Sequence, residues 1–195
     1  FPSTIETIGR SAFPYCGASN LTIPEGAVSS RLTFEDYAFA DMSNLEIINI
    51  NKRFSSFYSD NQNIFRNSGA DTGIEVTFGE RVTMLPERLF YGETTDVAPK
   101  ITTVSFPSTL SQIPNYVFYN VATLESTNIN ELDNLTSIGS GAFENCTSLS
   151  GELLLNSVEE IYGLAFMNCS SITSVEIGPN TTMISTQAFS GCGAS

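Results

Sequence analysis

Histidine and tryptophan are absent from the sequence, and cations are scarce. Without histidine, the chain cannot assemble a Ser-His-Asp or Cys-His catalytic group or a histidine-ligated zinc site. Eight Lys and Arg residues against 21 Asp and Glu give a formal net charge of -13, and such a surface repels the phosphate backbone of nucleic acids. No apolar run approaches the about 20 residues that a membrane-spanning helix needs. These absences argue against nucleic-acid binding, a membrane span and histidine-dependent catalysis.

The cations that are present lie in one half of the chain. All eight fall between Arg10 and Lys100, whereas residues 101–195 carry eight acids and no cation. A solvated anionic surface is the simplest interpretation. A face for calcium or a cationic ligand is the alternative, although no DxDxDG-type spacing supports it. At 195 residues, of which 41% are hydrophobic, the chain has enough apolar material for one folded domain.

A repeat runs through the whole sequence, anchored on a small or aliphatic residue followed by Phe. The eight anchor phenylalanines are Phe13, Phe39, Phe65, Phe90, Phe118, Phe143, Phe166 and Phe189. Successive anchor numbers differ by 26, 26, 25, 28, 25, 23 and 23. A period of this length is typical of solenoids. We therefore expect residues 1–195 to form a single array of about eight units of 23–28 residues, with partial units at both ends.

Two apolar positions precede each anchor. The position five residues before Phe holds Ile8, Phe34, Leu85, Ile113, Ile138, Ile161 and Ile184, and Phe57 fills it in the third unit. The position three residues earlier holds Ile5, Phe54, Val82, Leu110, Leu135 and Val158. Thr181 breaks that second series, and the second unit is ambiguous between Arg31 and Leu32. Stacked units would align these positions, and the anchor rings, into continuous interior columns.

Short alternating runs between the anchors predict β-strands. The runs are 48–50, 76–78, 104–106, 153–155 and 175–177. Pro24, Pro107 and Pro179 follow three apolar runs and would end the strands. No segment holds a helical period over three turns, so we expect helix only as single turns near the anchors. The sequence thus predicts a mostly β repeat solenoid with a parallel strand ladder and few short helical turns.

The cysteines follow the same repeat. Cys16, Cys146, Cys169 and Cys192 each lie three residues after an anchor, where the middle units have Met42, Ser68, Glu93 and Val121. We expect these thiols to point inward as small hydrophobic groups. Disulfides between adjacent turns remain open geometrically, and a catalytic role lacks a histidine partner. The residue before this position is Asn in four units, which favours a tight turn.

The segment Leu135–Leu149, LTSIGSGAFENCTSL, resembles the leucine-rich repeat of BspA-type bacterial surface proteins. Val158–Ile172 and Ile5–Cys16 show the same pattern. The resemblance implies a right-handed leucine-rich-repeat superhelix with its strand ladder on the concave side. It also implies an extracellular or cell-surface location, and adhesion to a protein or glycan ligand on host or neighbouring cells. We expect no cofactor and no metal.

Outward positions of the strand ladder are the candidate ligand surface. By alternation they are Asn49, Glu75, Thr77, Thr103, Ser105, Ser126, Asn128, Glu152, Leu154, Ser174 and Glu176. This surface is polar and acidic and lacks the Trp, Tyr and Arg of strong protein-binding sites, which favours weak or avid binding or a binding face elsewhere. The leading hypothesis is a non-enzymatic interaction module, and the alternative is a passive spacer or stalk. An enzyme would need paired acids in a cleft, and no such pair is evident.

Two further expectations concern the third unit and the ends. Phe54 and Phe57 are expected to fill core positions and Tyr58 to be exposed; an exposed Phe54 would instead mark this segment, next to Lys52 and Arg53, as a binding loop. The chain begins and stops within a repeat and shows no signal or anchor motif, as expected for a piece of a larger protein.

Overall fold

A computed structural model describes residues 1–55 and 63–193. The chain forms short β-strands joined by turns, each strand beginning and ending within one repeat. The strands are β1 (Thr7–Ile8), β2 (Asn20–Ile23), β3 (Thr33–Phe34), β4 (Ile47–Ile50), β5 (Ile74–Phe78), β6 (Ile101–Ser105), β7 (Gln112–Ile113), β8 (Ser126–Thr127), β9 (Ser137–Ile138), β10 (Gly151–Leu155), β11 (Glu160–Ile161), β12 (Ile172–Ile177) and β13 (Met183–Ile184). All five predicted runs overlap strands.

Every strand pairing in the described part of the chain is parallel, as a solenoid requires. The longer strands pair in the order β2-β4-β5-β6-β8, with β10-β12 as a separate pair. The two-residue strands pair as β1-β3 and as β7-β9-β11-β13. Strands one turn apart therefore lie side by side on two faces, which we call the long-strand face and the short-strand face. The predicted mostly β repeat solenoid, with about seven turns between the first and last anchors, is confirmed.

The eight anchor rings form one continuous column through the interior. Neighbouring anchors have ring centroids 5.1 to 5.7 Å apart from Phe13 to Phe189. The six inner rings are at most 1% exposed, and the two outermost are half-buried. Each turn thus buries its ring against the rings of the turns above and below, and the column is the core that a single unit could not form alone.

Backbone hydrogen bonds also join successive turns at the anchors. The Phe118 N–H, for example, donates to the Ala142 carbonyl at 2.9 Å, and the Phe143 N–H donates to the Ala165 carbonyl at 2.8 Å. The residue two positions before each anchor has a positive φ in all eight units, and the residue two positions after has one in seven units. These left-handed residues prevent helix formation at the anchors. Among the described residues, helix is limited to one 3₁₀ turn, Ile129–Glu131, away from the expected positions.

The described apolar positions before the anchors are buried, except Ile5, which is half-buried, and Ile184. Leu32 is fully buried and Arg31 is exposed, which settles the second unit. Phe54 is 2% exposed and fills its core position, as expected. Ile184 is 51% exposed because the last turn is covered on one side alone. Phe57 and Tyr58 lie outside the described residues.

The cysteines lie along one interior line and are free thiols. Cys146 and Cys169 are fully buried, whereas Cys16 and Cys192 are half-buried. Each of the last three thiols donates to the carbonyl of the anchor one turn earlier, as Cys169 does to Phe143 at 3.1 Å. Burial raises the pKa of the Cys146 and Cys169 thiols well above the ordinary value, since the thiolate would lose its hydration. Glu93, which the repeat aligns with them, is exposed instead.

The asparagines before this line connect the turns by their side chains. Asn145 Nδ2 donates to Asn120 Oδ1 at 2.7 Å, and Asn168 Nδ2 donates to Asn145 Oδ1 at 2.8 Å. All three have φ between 61° and 64°. The expected tight turn is present, because Asn tolerates the left-handed region better than most residues.

Candidate interaction surface

The long-strand face presents two rows of outward side chains at matching register. One row contains Thr22, Asn49, Thr77 and Ser105, and the other contains Ile47, Glu75, Thr103 and Ser126. Every candidate residue named from the sequence lies on the long-strand side and is exposed or half-buried. A bulge where β5 pairs with β6 keeps the second row in register, since Ile74 pairs with Ile101 and Glu75 with Thr103.

Most of these side chains have no hydrogen-bond partner among the described residues. This holds for four exposed residues, Glu75, Thr77, Ser105 and Ser126, and for two half-buried ones, Asn49 and Thr103. Beside them, at the carboxyl ends of β2, β4 and β5, lies an open cavity of about 350 Å³. Thr22, Asn49, Thr77 and Glu25 contribute its polar lining, and Ile23, Pro24 and Ile50 its apolar lining. The five-stranded part of the face therefore combines unengaged polar groups with a concave edge.

The long-strand face is divided at two asparagines. Asn128 accepts from the Phe106 N–H at 2.8 Å and donates to the Phe106 carbonyl at 3.0 Å. Asn130 makes the corresponding pair with β10, donating to the Glu152 carbonyl and accepting from the Leu154 N–H. At this point the side chains of Asn128 and Asn130 make the backbone hydrogen bonds that a paired strand would otherwise make. Because the Asn128 side chain bonds to the backbone of Phe106, it is not available to a ligand.

The remaining candidates lie beyond this division, on the pair β10-β12. Glu152 faces Ser174, and Leu154 faces Glu176, in adjacent parallel positions. The structure therefore brings six of the candidates together on the five-stranded part and four on a separate two-stranded part.

A cluster of tyrosines and an arginine on another side of the solenoid was not foreseen. The Arg88 guanidinium lies 5.4 Å from the Tyr91 ring centroid and 5.5 Å from that of Tyr116. Tyr91 and Tyr119 stack at 5.1 Å, and Tyr116 meets Tyr119 edge-on. The signal was available, because these residues lie one residue after or two residues before an anchor in consecutive units.

Glu144 lies at the edge of this tyrosine cluster. Partial burial raises the pKa of its carboxyl above the ordinary value. A Cβ on Gly141 would meet the Tyr116 ring at 2.7 Å, so the glycine makes room for that ring. Tyr and Arg are the residue types that concentrate binding energy at interfaces, although here the stacked tyrosine faces and the arginine already contact one another.

The described residues contain no group of three or more His, Cys, Asp or Glu arranged to hold a metal ion. Within the same residues, no helix is both long and apolar enough to cross a lipid bilayer.

Parallel strands on two faces, an interior phenylalanine column, and an asparagine turn followed by an inward cysteine in each regular turn together define a leucine-rich-repeat solenoid. The sequence matches the profile of the BspA type Leucine rich repeat region in six copies, over residues 1–95 and 61–195. The chain belongs to this family, whose members form a class of protein-interaction modules. No match was found among curated proteins.

Two solved structures of leucine-rich repeat proteins match this chain. A leucine-rich repeat protein from Bacteroides ovatus is 21% identical, with 98% of this chain and 69% of that chain covered and a TM-score of 0.48. The leucine-rich repeat protein of T. pallidum is 17% identical, with 92% of this chain and 77% of that chain covered and a TM-score of 0.47.

Proposed function

We propose that this chain is a non-enzymatic adhesion module of an extracellular or cell-surface protein and that it binds a partner protein through the five-stranded part of the long-strand face. The observation that carries the proposal is the set of unengaged polar side chains in two registered rows beside the 350 Å³ cavity. In the rest of the solenoid, many comparable side chains bond to the neighbouring turn, as Asn145 does. Polar groups that the fold leaves unused are available to a ligand at no cost to the fold.

The chemistry of this face indicates which partner surface would fit. Glu75 lies between Ile47 and Thr103 in its row, and Glu25 lines the cavity. A partner with Lys or Arg and several hydrogen-bond donors would complement these carboxylates and hydroxyls. Because the face lacks aromatic anchors, a single contact would be weak, and strong attachment would come from many copies on a surface. A glycan rich in hydroxyls is the second ligand class that this lining suits.

The test is binding of the purified chain to an array of host surface proteins and glycans. The informative variant is the pair Glu75→Lys and Thr77→Lys, which places two cations in the rows without touching a buried group. The matched control is Thr186→Lys, an exposed threonine that the long strands do not include.

Reproducible binding that the paired variant abolishes and the control retains would support the proposal. Binding that both variants retain would place the contact on another face. No reproducible binding on either array would favour the passive spacer, since that role needs no ligand surface.

A further inference from the structure

Three arginines occupy the same position in three consecutive turns of the short-strand face. Arg31, Arg53 and Arg81 each precede a buried apolar residue, namely Leu32, Phe54 and Val82. Leu32 and Phe54 form a parallel bridge, which places Arg31 and Arg53 on adjacent turns. The equivalent residues elsewhere are uncharged: Thr4, Thr109, Asn134, Ser157 and Asn180. The stack is therefore a local departure from the repeat, in a chain whose net charge is -13.

Stacked arginines repel one another, and the fold neutralises them unequally. Adjacent parallel positions lie about 4.8 Å apart, where like charges are destabilising. Arg81 forms an ion pair with Glu25. Arg31 donates from Nη1 to the carbonyls of Val28 and Ser30, at 3.0 and 3.1 Å, which satisfies one nitrogen without supplying a negative charge.

Arg53, in the middle of the stack, is the least satisfied of the three. Its Nε is buried and has no hydrogen-bond partner within residues 1–55 and 63–193. Its neighbour Lys52 is 1% exposed and donates to the carbonyls of Ser3 and Ile5 at 2.9 and 2.5 Å. Because these partners are neutral carbonyls, the lysine adds a further positive charge beside Arg53 without a counterion.

An open cavity of about 230 Å³ lies between the first two arginines. Among the described residues, its lining consists of Arg31, Arg53, Phe54, Thr83 and Met84, with no carboxylate among them. Guanidinium groups bind carboxylate, sulfate and phosphate oxygens through paired, charge-assisted hydrogen bonds. Two guanidiniums, a hydroxyl donor and two apolar side chains therefore form the lining that an oxyanion with an adjoining apolar group needs.

We propose that Arg31 and Arg53, with Thr83, form a binding site for an oxyanion group that neutralises the arginine stack. The cavity is smaller than the about 300–1,000 Å³ of sites for drug-sized ligands, so it fits one acidic group of a larger molecule or a free anion. This site lies on the short-strand face and is separate from the surface proposed for the partner protein.

The experiment is a titration of the ¹⁵N-labelled chain followed by NMR, with sulfate, phosphate and acetate added at constant ionic strength against chloride. We expect a saturable shift of the Arg53 Nε–H signal and of the Arg31 and Thr83 backbone amides, with a dissociation constant in the millimolar range. Tighter binding of sulfate and phosphate would assign the site to tetrahedral anions, and tighter binding of acetate would assign it to carboxylates. Shifts that rise linearly with all three anions would overturn the proposal.

Variants that each remove one positive charge distinguish binding at this site from a general effect of net charge on anion affinity. Arg53→Gln should weaken the preferred anion by about tenfold or more, because a charge-assisted pair is lost. Arg31→Gln changes an exposed side chain and should weaken it as well, so the result does not depend on a change at a partly buried residue. The control is Arg10→Gln, whose arginine is exposed and paired with Asp36. Equal affinity in Arg31→Gln, Arg53→Gln and the control would also overturn the proposal.

Discussion

Residues 1–100 and residues 101–195 build the same solenoid from different material. The first half, which we call the irregular half, holds all eight cations and nine of the 14 phenylalanines, and its anchor intervals are 26, 26 and 25 residues. The second half has no cation and anchor intervals of 25, 23 and 23 residues. We call it the regular half because the pair Asn145-Cys146 recurs in the next unit as Asn168-Cys169. There the rings of Phe143, Phe166 and Phe189 are parallel to within 6° and 4°, whereas Phe65 and Phe90 are tilted by 38°. The two shortest anchor intervals, of 23 residues each, therefore coincide with the most nearly parallel anchor rings.

The irregular half carries the features that could distinguish ligands. The arginine stack, the buried Lys52 and the two cavities described above lie within residues 3–84. In the regular half, the side chains at the turns bond to the next turn, as Asn168 does to Asn145. The regular half thus joins its asparagine turns into a ladder of side-chain bonds, whereas the cavities and the arginine stack lie where the repeat varies.

The largest expected effect comes from removing one anchor ring in each half. Phe166→Ala should lower the free energy of unfolding by about 3–5 kcal/mol, because a fully buried ring leaves a cavity. Phe39→Ala should cost about 1 kcal/mol more, since Phe39 also meets Phe34 edge-on at 5.2 Å and Phe1 at 6.3 Å. Urea denaturation monitored by circular dichroism measures both.

The terminal anchor supplies the control for that comparison. Phe189 is half-buried and, among the described rings, stacks on Phe166 alone, so Phe189→Ala should cost clearly less than Phe166→Ala. Equal losses at these two positions would contradict a stability built from contacts between neighbouring turns.

The next largest effect is expected at the line of cysteines. There a serine hydroxyl donates to the anchor carbonyl in the first half, and a cysteine thiol does so in the second half. Ser68 Oγ donates to the Phe39 carbonyl at 2.6 Å and accepts from the Met42 N–H at 3.1 Å. Ser68→Ala leaves both backbone groups buried without a partner, which should cost about 1–3 kcal/mol. Ser68→Cys introduces the group found at Cys169 and should cost less than Ser68→Ala. Thermal unfolding of the two variants measures the difference.

The reverse exchange in the regular half is the matched control. Cys169→Ser keeps a donor toward the Phe143 carbonyl, whereas Cys169→Ala removes it. If the alanine variant were the more stable of these two, a donor toward the Phe143 carbonyl would add no net stability at this position, which would favour packing as the reason for the cysteines.

The solenoid could be predicted because its signals repeat. A ring at a nearly constant interval, an aliphatic residue five positions earlier and alternating runs between them fix the strands and the core columns. Phe54 and Leu32 are buried as the repeat requires. The outward positions of the long strands also follow from alternation, because neighbouring side chains of a strand point to opposite faces.

Other features could not be predicted from residue types. The left-handed position before each anchor is occupied by residues as different as Ser11, Arg88, Gly141 and Leu164, so no residue preference marks it. Asn128 looked like one more outward residue, and its role in joining two sheets depends on how the turn with Asn130 is placed. The proposed oxyanion site likewise could not be predicted, because Arg31, Arg53 and Arg81 precede equivalent apolar residues of the repeat and differ only in their partners in the fold.

A smaller effect should distinguish the asparagines of the two halves. Asn145 donates to Asn120 and accepts from Asn168, whereas the exposed Asn67 donates to Asp41 at 2.9 Å. Glycine adopts the left-handed conformation of both positions without strain, so Asn145→Gly and Asn67→Gly differ mainly in the side-chain bonds lost. We expect Asn145→Gly to lose about 1 kcal/mol more in urea denaturation, since it breaks two bonds inside a continuous ladder. An equal loss at Asn67 would mean that the ladder adds no stability and that the regular half is held by its rings and backbone bonds.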